Sequence, residues 1–444
     1  MVESNTNSTL PLPPGETGLP FLGETFKFLL DRNFAQKKQA KHGNIYKTNF
    51  FGGNTVVMIG GDANEFLFRN ENKYVVSTWP KSTRILLGQK SLAVSEGNFH
   101  TSRRKLMAQA FQPRALDSYL PTMEKITNQY IDKWLKMESL TWYPELRDYT
   151  FDIACSLLIS IENASQTPLR EYFETWCQGL FRLPINLPWT NFGKASKCRK
   201  KLLAEIEKIV IDRQKQEGED NSDALGILLN AKDEDGNSLT LEELKDQILL
   251  LLFAGHETLT SAIASFCLLM AQHPDVFNKV KLEQEELNLR ENFTREDLKK
   301  MTYLEQVLKE VLRFIPPVGG GFRKVIQGFE YQGYYIPENW TIQYQILQTH
   351  KEPDVFPEHQ KFDPDRFSPE NMADKQKTFG YVPFGGGLRE CLGKEFARLE
   401  MRIFASLLIQ KCQWELLPEQ DLDMVVIPSP HPRDGLKITI EANS

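Results

Sequence analysis

Cys391 is the residue best placed for chemistry, in the run Phe384-Gly-Gly-Gly-Leu-Arg-Glu-Cys391-Leu-Gly393, followed by the helical stretch KEFARLEMRIFASLLIQ. Glycines at 385 to 387 permit a tight, bulged backbone that can approach a flat ligand closely, and Gly393 leaves room beside the sulfur. Cys391 then precedes a helix N-terminus, whose exposed N–H donors and positive dipole end favour thiolate over thiol. A thiolate there calls for a soft metal. Arg389, two residues earlier, is placed to pair with an anionic group on the same ligand, such as the carboxylates of a macrocycle. The plain alternative is a glycine-rich turn with a buried cysteine. Against it, Phe, Gly, Arg, Cys and Gly at these offsets recur by chance in roughly one chain per ten thousand.

A second group lies in Ala254-Gly255-His256-Glu257-Thr258. An unpaired buried Glu is costly, so an acid beside an alcohol within an apolar run demands a polar site; the alternative is a core helix with a packing glycine. Glu310 and Arg313 stand at i and i+3, a spacing worth only a few tenths of a kcal/mol by itself. Glu395 and Arg398 repeat it and read as a helix-surface pair. The histidines at 42, 256, 273, 350, 359 and 431 make no HExxH or i, i+4 pair, so they read as structural. The six cysteines form no CxxC pair, which disfavours a zinc ribbon or a disulfide framework.

The element that must carry Glu257 and Thr258 is a helix from the N-cap Thr240, with Glu243 completing a capping box, to His273 before Pro274. It would run about 50 Å. Ile248 to Met270 is nearly apolar, so a membrane span has to be weighed. His256 and Glu257 interrupt it, no second such segment exists and no Lys/Arg asymmetry flanks it, so a buried central helix is the better reading. Hairpin signals occur at Gly43–Gly61, around Gly52, Gly53 and Asn54, and at Phe329–Gln345, punctuated by Gly333 and Pro337–Asn339. Pro11 to Pro20 is a stiff lead-in, and Glu217–Asp223 and Lys232–Ser238 are solvated loops. With 41% hydrophobic and 25% charged residues in 444 the chain is an ordinary folded protein. Its formal charge of −6 gives no support to a nucleic-acid partner. Met1 to Leu10 shows no signal peptide or membrane anchor, which places the protein in the cytoplasm.

FGGGLRECLG resembles the haem-binding signature of the cytochromes P-450, the haem-thiolate monooxygenases, and the resemblance extends over nearly the whole chain. It implies a mainly α fold with small β-sheets and a long central helix over the haem. Residues 1–20 would be the lead-in and 21–444 one catalytic domain, β-rich near 43–61 and 323–345. Cys391 is then the ligand of the iron of haem b, iron protoporphyrin IX, with Phe384 and Gly385 beside the cofactor. Ala254–Thr258 is similar to the family's oxygen-activation motif, in which Glu257 and Thr258 relay protons. Phe362-Asp-Pro-Asp-Arg366-Phe367 resembles a second arginine element, so Glu310, Arg313 and Arg366 would form a structural triad holding the Cys loop. Gly97–Lys105 looks like the helix that contacts the haem propionates, typically Trp-x-x-x-Arg, with His100 in place of Trp. His100, Arg104 and Arg323 thus join Arg389 as propionate candidates; a solvated helix face is the alternative for that cluster. Arg103, Lys105 and Lys394 would also suit the docking face for an acidic electron donor.

Val75–Gly88, Leu180–Pro188 and Arg313–Arg323 are similar to segments of the retinoic-acid hydroxylases within that superfamily, although Gly319 stands where those enzymes usually have Pro. A retinoid-like substrate follows, in an elongated apolar pocket lined by Trp79, Phe181, Leu183, Ile185, Ala254, Val318 and Gly319, each of which could instead be core. The missing anchor suits a bacterial, cyanobacterial member, served by a ferredoxin-type donor with its reductase. Two rival functions are a haem-thiolate isomerase or peroxide-using enzyme, and a non-enzymatic haem or lipid-binding sensor. The acid–alcohol pair argues against the first.

Overall fold

A computed structural model of the chain describes residues 9–18, 23–31, 33–50, 53–137, 139–215, 223–289 and 291–443. Residues 1–8, 19 and 20 of the lead-in, Gly52 of the first hairpin and residues 217–222 of the first expected loop lie outside them. The chain divides into two compact units, Met1–Trp79 with Leu312–Cys391, and Pro80–Val311 with Leu392–Ser444.

The first unit is built on a five-stranded sheet. β1 (Ile45–Phe50) pairs antiparallel with β2 (Gly53–Ile59), the first expected hairpin. β2 is followed by helix α1 (Gly61–Arg69) and by β3 (Val75–Thr78). β4 (Gly320–Val325), the short hairpin of β5 (Phe329–Tyr331) and β6 (Tyr334–Ile336), and β7 (Thr341–Gln345) come from the second stretch of chain. Sheet order is β1-β2-β7-β4-β3. β2 is covered on both faces, Val56 and Met58 packing in one core cluster and Val57 and Ile59 in another, which is why its last five residues, Thr55 to Ile59, are all buried rather than alternating. The hairpin expected over Phe329–Gln345 is therefore shorter, turning at Gly333 and ending at Ile336. β7 instead lies parallel to β2 and antiparallel to β4, so that the backbone groups of this buried strand are paired on both edges. Val56, Met58, Leu67, Phe68, Val325, Ile342 and Tyr344 form one core between the sheet and α1.

The second unit is helical: α2 (Gly97–Ala108), α3 (Pro113–Trp134), α4 (Trp142–Ile159), α5 (Pro168–Cys177), α6 (Asn191–Lys215), α7 (Leu241–Gln272), α8 (Thr302–Phe314, ending across the unit boundary) and α9 (Lys394–Lys411). A small antiparallel sheet joins Leu140–Thr141, Lys437–Ala442 and Cys412–Leu416. α7 starts where local chemistry dictates: the Thr240 hydroxyl accepts the Glu243 N–H at 3.3 Å and the Glu243 carboxylate accepts the Thr240 N–H at 2.8 Å. Its 32 residues are long and apolar enough to cross a membrane, yet every residue from Leu259 to Met270 is buried inside the protein. α7 packs chiefly on α4. Aromatic rings from α3, α4 and α9 meet edge-on beside it, Trp134 against Trp142 at 5.8 Å and against Phe404 at 6.2 Å. Truncating such a ring costs about 3–5 kcal/mol.

Candidate functional site

In the first unit, the segment before Cys391 closes on itself. The Gly385 N–H donates to the Val382 carbonyl and the Cys391 N–H to the Phe384 carbonyl, both at 2.9 Å, so the backbone at the sulfur is fixed. The loop requires glycine for two reasons. Gly387 has φ +64, where side chains are strained, and a Cβ there would lie 2.8 Å from the Phe68 carbonyl oxygen. One at Gly386 would lie 2.6 Å from the Phe68 ring. At these two positions the space reserved by glycine is taken by Phe68 of α1, which is what lets the bulged backbone pack tightly there. Gly385 alone has nothing nearer than the Tyr344 hydroxyl at 3.8 Å.

The loop is supported from beneath. The Val382 N–H donates to His350 Nε2 at 2.9 Å, and Arg313 donates to the His350 and His359 carbonyls at 3.2 and 3.0 Å and to that of Lys361 at 3.2 Å. Arg366 donates to the carbonyls of Pro357, Glu358 (2.7 Å) and Lys361 (3.4 Å). Arg313 and Arg366 thus grip one stretch of irregular chain. Glu310 is fully buried on α8. Of the six cysteines Cys391 is exposed and Cys198 half-buried. Burial pushes up the thiols of Cys155, Cys177 and Cys267, and that of Cys412 to about 12, so these four are unreactive thiols.

Arg323 and Arg389 converge on a residue that no motif singled out. Glu71 accepts Arg323 Nε through Oε2 at 2.6 Å, and its Oε1 lies 3.3 Å from Arg389 Nε. Ser77 sits opposite Arg323 in the β3–β4 register, and its N–H also donates to Glu71 Oε1, at 2.9 Å. The Tyr344 ring covers the Arg323 guanidinium at 5.2 Å.

In the second unit, Glu257 has the polar site that its burial demands. Arg147, on α4, donates from Nη2 to Glu257 Oε1 at 2.6 Å and to Glu174 Oε2 at 2.7 Å, and from Nε to Glu174 Oε1 at 2.9 Å. Tyr143, one helical turn earlier, accepts Arg147 Nη1 at 3.2 Å. Burial pushes the Glu174 carboxyl up, but His256, whose Nε2 lies 3.6 Å away, and Arg147 bring it down to about 2. At another edge of the ring, His256 Nδ1 and the Thr150 hydroxyl share a hydrogen bond at 2.8 Å. Thr258 points elsewhere, since successive helical residues differ by about 100°; its hydroxyl donates to the Ala254 carbonyl at 2.7 Å. Acid and alcohol are therefore neighbours in sequence with separate partners.

His100 is buried and Arg104 half-buried, one turn apart on α2. Arg103, from the basic cluster, pairs with Glu243 at 2.9 Å and is mostly buried; Lys105 pairs with Glu234 at 2.8 Å in the open. The idea that Arg103 serves an outside partner is corrected by that internal contact. Among the substrate candidates, Leu183, Ile185 and Val318 are 69, 50 and 42% exposed, and Ala254 and Gly319 are also exposed, so none of these five is a core residue. Trp79 and Phe181 are half-buried. Trp79, Val318 and Gly319 belong to the first unit; Phe181, Leu183, Ile185 and Ala254 belong to the second.

Sequence reasoning missed Glu71, Arg147, Glu174 and the support that His350 gives. Only Arg147 left a signal, in the demand of Glu257 for a counter-charge. Among the described residues no cluster of three His, Cys, Asp or Glu could hold a metal ion. What is present fits a group that brings a thiophilic metal and carboxylates together: an exposed sulfur on a hydrogen-bonded loop and, in the same unit, two nearly buried guanidiniums. Haem is such a group.

A family model described as Cytochrome P-450 matches residues 13–437. The chain is 55% identical over 444 residues to a putative cytochrome P-450 120 of Synechocystis sp., covering 100% of both proteins. It is 35% identical over 441 residues to a cytochrome P-450 26B1 of Xenopus tropicalis, with 97% of this chain and 86% of that one covered. Among solved structures, a retinoic acid-bound cyanobacterial CYP120A1 matches with a TM-score of 0.95 at 54% identity, over 98% of this chain and 100% of the other.

Proposed function

The chain belongs to the cytochrome P-450 family of haem-iron monooxygenases, and from that premise we propose that it hydroxylates an elongated apolar acid, retinoic acid or a related retinoid or apocarotenoid. The observation that carries the substrate is the likeness, at 54% identity, to a structure with retinoic acid bound. The reaction takes dioxygen and two electrons, delivered by a ferredoxin-type donor with its reductase in the cytoplasm, and residues 21–444 act as one catalytic domain.

Cys391 would hold the iron of haem b as thiolate, with Phe384 and Gly385 against the ring and His100, Arg104, Arg323 and Arg389 on the propionates. When bound, the haem supplies dioxygen activation and the removal of hydrogen from a substrate carbon. The protein does the rest. The Phe384 carbonyl, by accepting the Cys391 N–H, keeps the sulfur's backbone in one place. Trp79, Val318 and Gly319 of the first unit, and Phe181, Leu183, Ile185 and Ala254 of the second, are the residues we assign to contact with the apolar chain. Thr258 holds a proton at Oγ1, and its rotation away from the Ala254 carbonyl offers that proton to the substrate side. Glu257, held by Arg147, is the acid we assign to the same proton supply. Glu310, Arg313 and Arg366 form the support of the Cys loop.

The test is mass spectrometry of products from all-trans-retinoic acid with a ferredoxin system. Addition of one oxygen atom, dependent on the reductase, is the expected result. Equal turnover with hydroperoxide alone would make the enzyme peroxide-using, and tight binding without any turnover would make it a sensor.

A further inference from the structure

We propose that Glu71 is a positioning residue that holds Arg323 and Arg389 in place for the carboxylate edge of the haem, an inference that rests on the haem reading above. Glu71 lies in the turn before β3, outside every motif recognised in the sequence. Its side chain is 2% exposed, and those of Arg323 and Arg389 are 5 and 9% exposed. Both of its oxygens are engaged: Oε2 takes Arg323 Nε at 2.6 Å, while Oε1 takes the Ser77 N–H at 2.9 Å and lies 3.3 Å from Arg389 Nε.

The two arginines come from different elements, one from a strand and the other from the Cys loop, and Glu71 is the group they share. The hydrogen bond at Nε sets the plane of the Arg323 guanidinium, because Nε is part of the planar fork, whereas the contact of Glu71 with Arg389 is an ion pair that anchors its charge. Arg323 is held at a second point, where its Nη1 donates to the Phe322 carbonyl at 3.0 Å. Long side chains ordered before a ligand arrives do not have to be ordered by it, so the binding cost falls. Glu71 also places a carboxylate beside two cations at the edge of the redox group. Removing that negative charge favours the reduced state and moves the potential upward.

The experiment uses the haem-loaded enzyme and two variants, Glu71→Gln and Glu71→Asp, measuring haem transfer to an acceptor apoprotein and the reduction potential by spectroelectrochemistry. Glu71→Gln keeps an oxygen for the Ser77 N–H but loses the charge. It should release haem about tenfold faster, the low end for lost outer-shell partners, with a positive shift in potential. Glu71→Asp keeps the charge but shortens the reach, so its potential stays near the wild-type value while haem release quickens. A Glu71→Gln enzyme with wild-type release and potential, or one that only melts earlier with its potential unmoved, overturns the proposal. If Glu71→Gln does not fold, Glu71→Asp decides alone, and wild-type release from it is the overturning result. Wild-type protein that takes up no haem would instead sink the haem reading, which separates the two failures.

Discussion

His350 accepts the backbone N–H of Val382 at 2.9 Å, two residues ahead of Phe384 and the cysteine loop. The bond needs a lone pair on Nε2, so the ring must be neutral. Burial, with the Arg313 charge adding to it, pushes its pKa down to about 3. An unfolded chain takes up that proton from its ordinary value of 6.5 downward, whereas the folded one does not, so stability falls as the pH drops through this window. Glu174, held at about 2 against an ordinary 4.5, adds a further loss below 4.5. Urea midpoints measured from about pH 7 to pH 4 should decline, with the steeper fall at the acid end. His350→Gln should flatten the upper part of that slope and cost about 1–3 kcal/mol at neutral pH; an unaltered slope would remove His350 from the account.

Arg147 stands between two carboxylates that are otherwise interior. Arg147→Leu should destabilise the protein by about 3–5 kcal/mol, because it strands both Glu257 and Glu174. Adding Glu257→Gln should recover part of the loss, since one of the two charges is then gone. Denaturation of the single and double variants gives the coupling directly, and strictly additive effects would contradict the shared contact.

Thr258→Ala removes a hydroxyl whose partner is the Ala254 carbonyl, without touching the Arg147 cluster. Stability should change by less than about 1 kcal/mol, while product formed per reductant consumed falls by about tenfold or more. Full coupling in this variant would place the proton path elsewhere.

Cys391→Ala leaves the Phe384–Cys391 bond intact, since that bond is made by the backbone. The loop should keep its shape, and the carbon monoxide spectrum of the reduced protein should lose the thiolate signature. An unchanged spectrum would mean that another residue binds the iron.

The readable parts of the fold were those decided within a few residues. Thr240 and Glu243 announce α7 because a capping box is closed by four consecutive positions. Gly333 announces the β5–β6 turn in the same way. β7 was misassigned to that hairpin because its partners, β2 and β4, are set by which strands need covering, a property absent from its own five residues. The site divides similarly. Cys391 and its glycines form one short run, and Glu257 declares its need for a partner by being an acid in an apolar helix. Arg147 is 110 residues from Glu257, and Glu71 is 252 from Arg323. Neither helical nor strand periodicity reaches across such distances, so those pairs became visible only with the chain folded.

The grip of Arg313 and Arg366 on the carbonyls between Pro357 and Lys361 has an evolutionary consequence. Every amino acid offers the same carbonyl oxygen, so the bonds made to His359 and Lys361 do not depend on the side chains there, while they do depend on the two guanidiniums. Variation can accumulate at the clamped segment without loosening the clamp, and the scaffold beneath the cysteine can be inherited almost independently of the letters it holds.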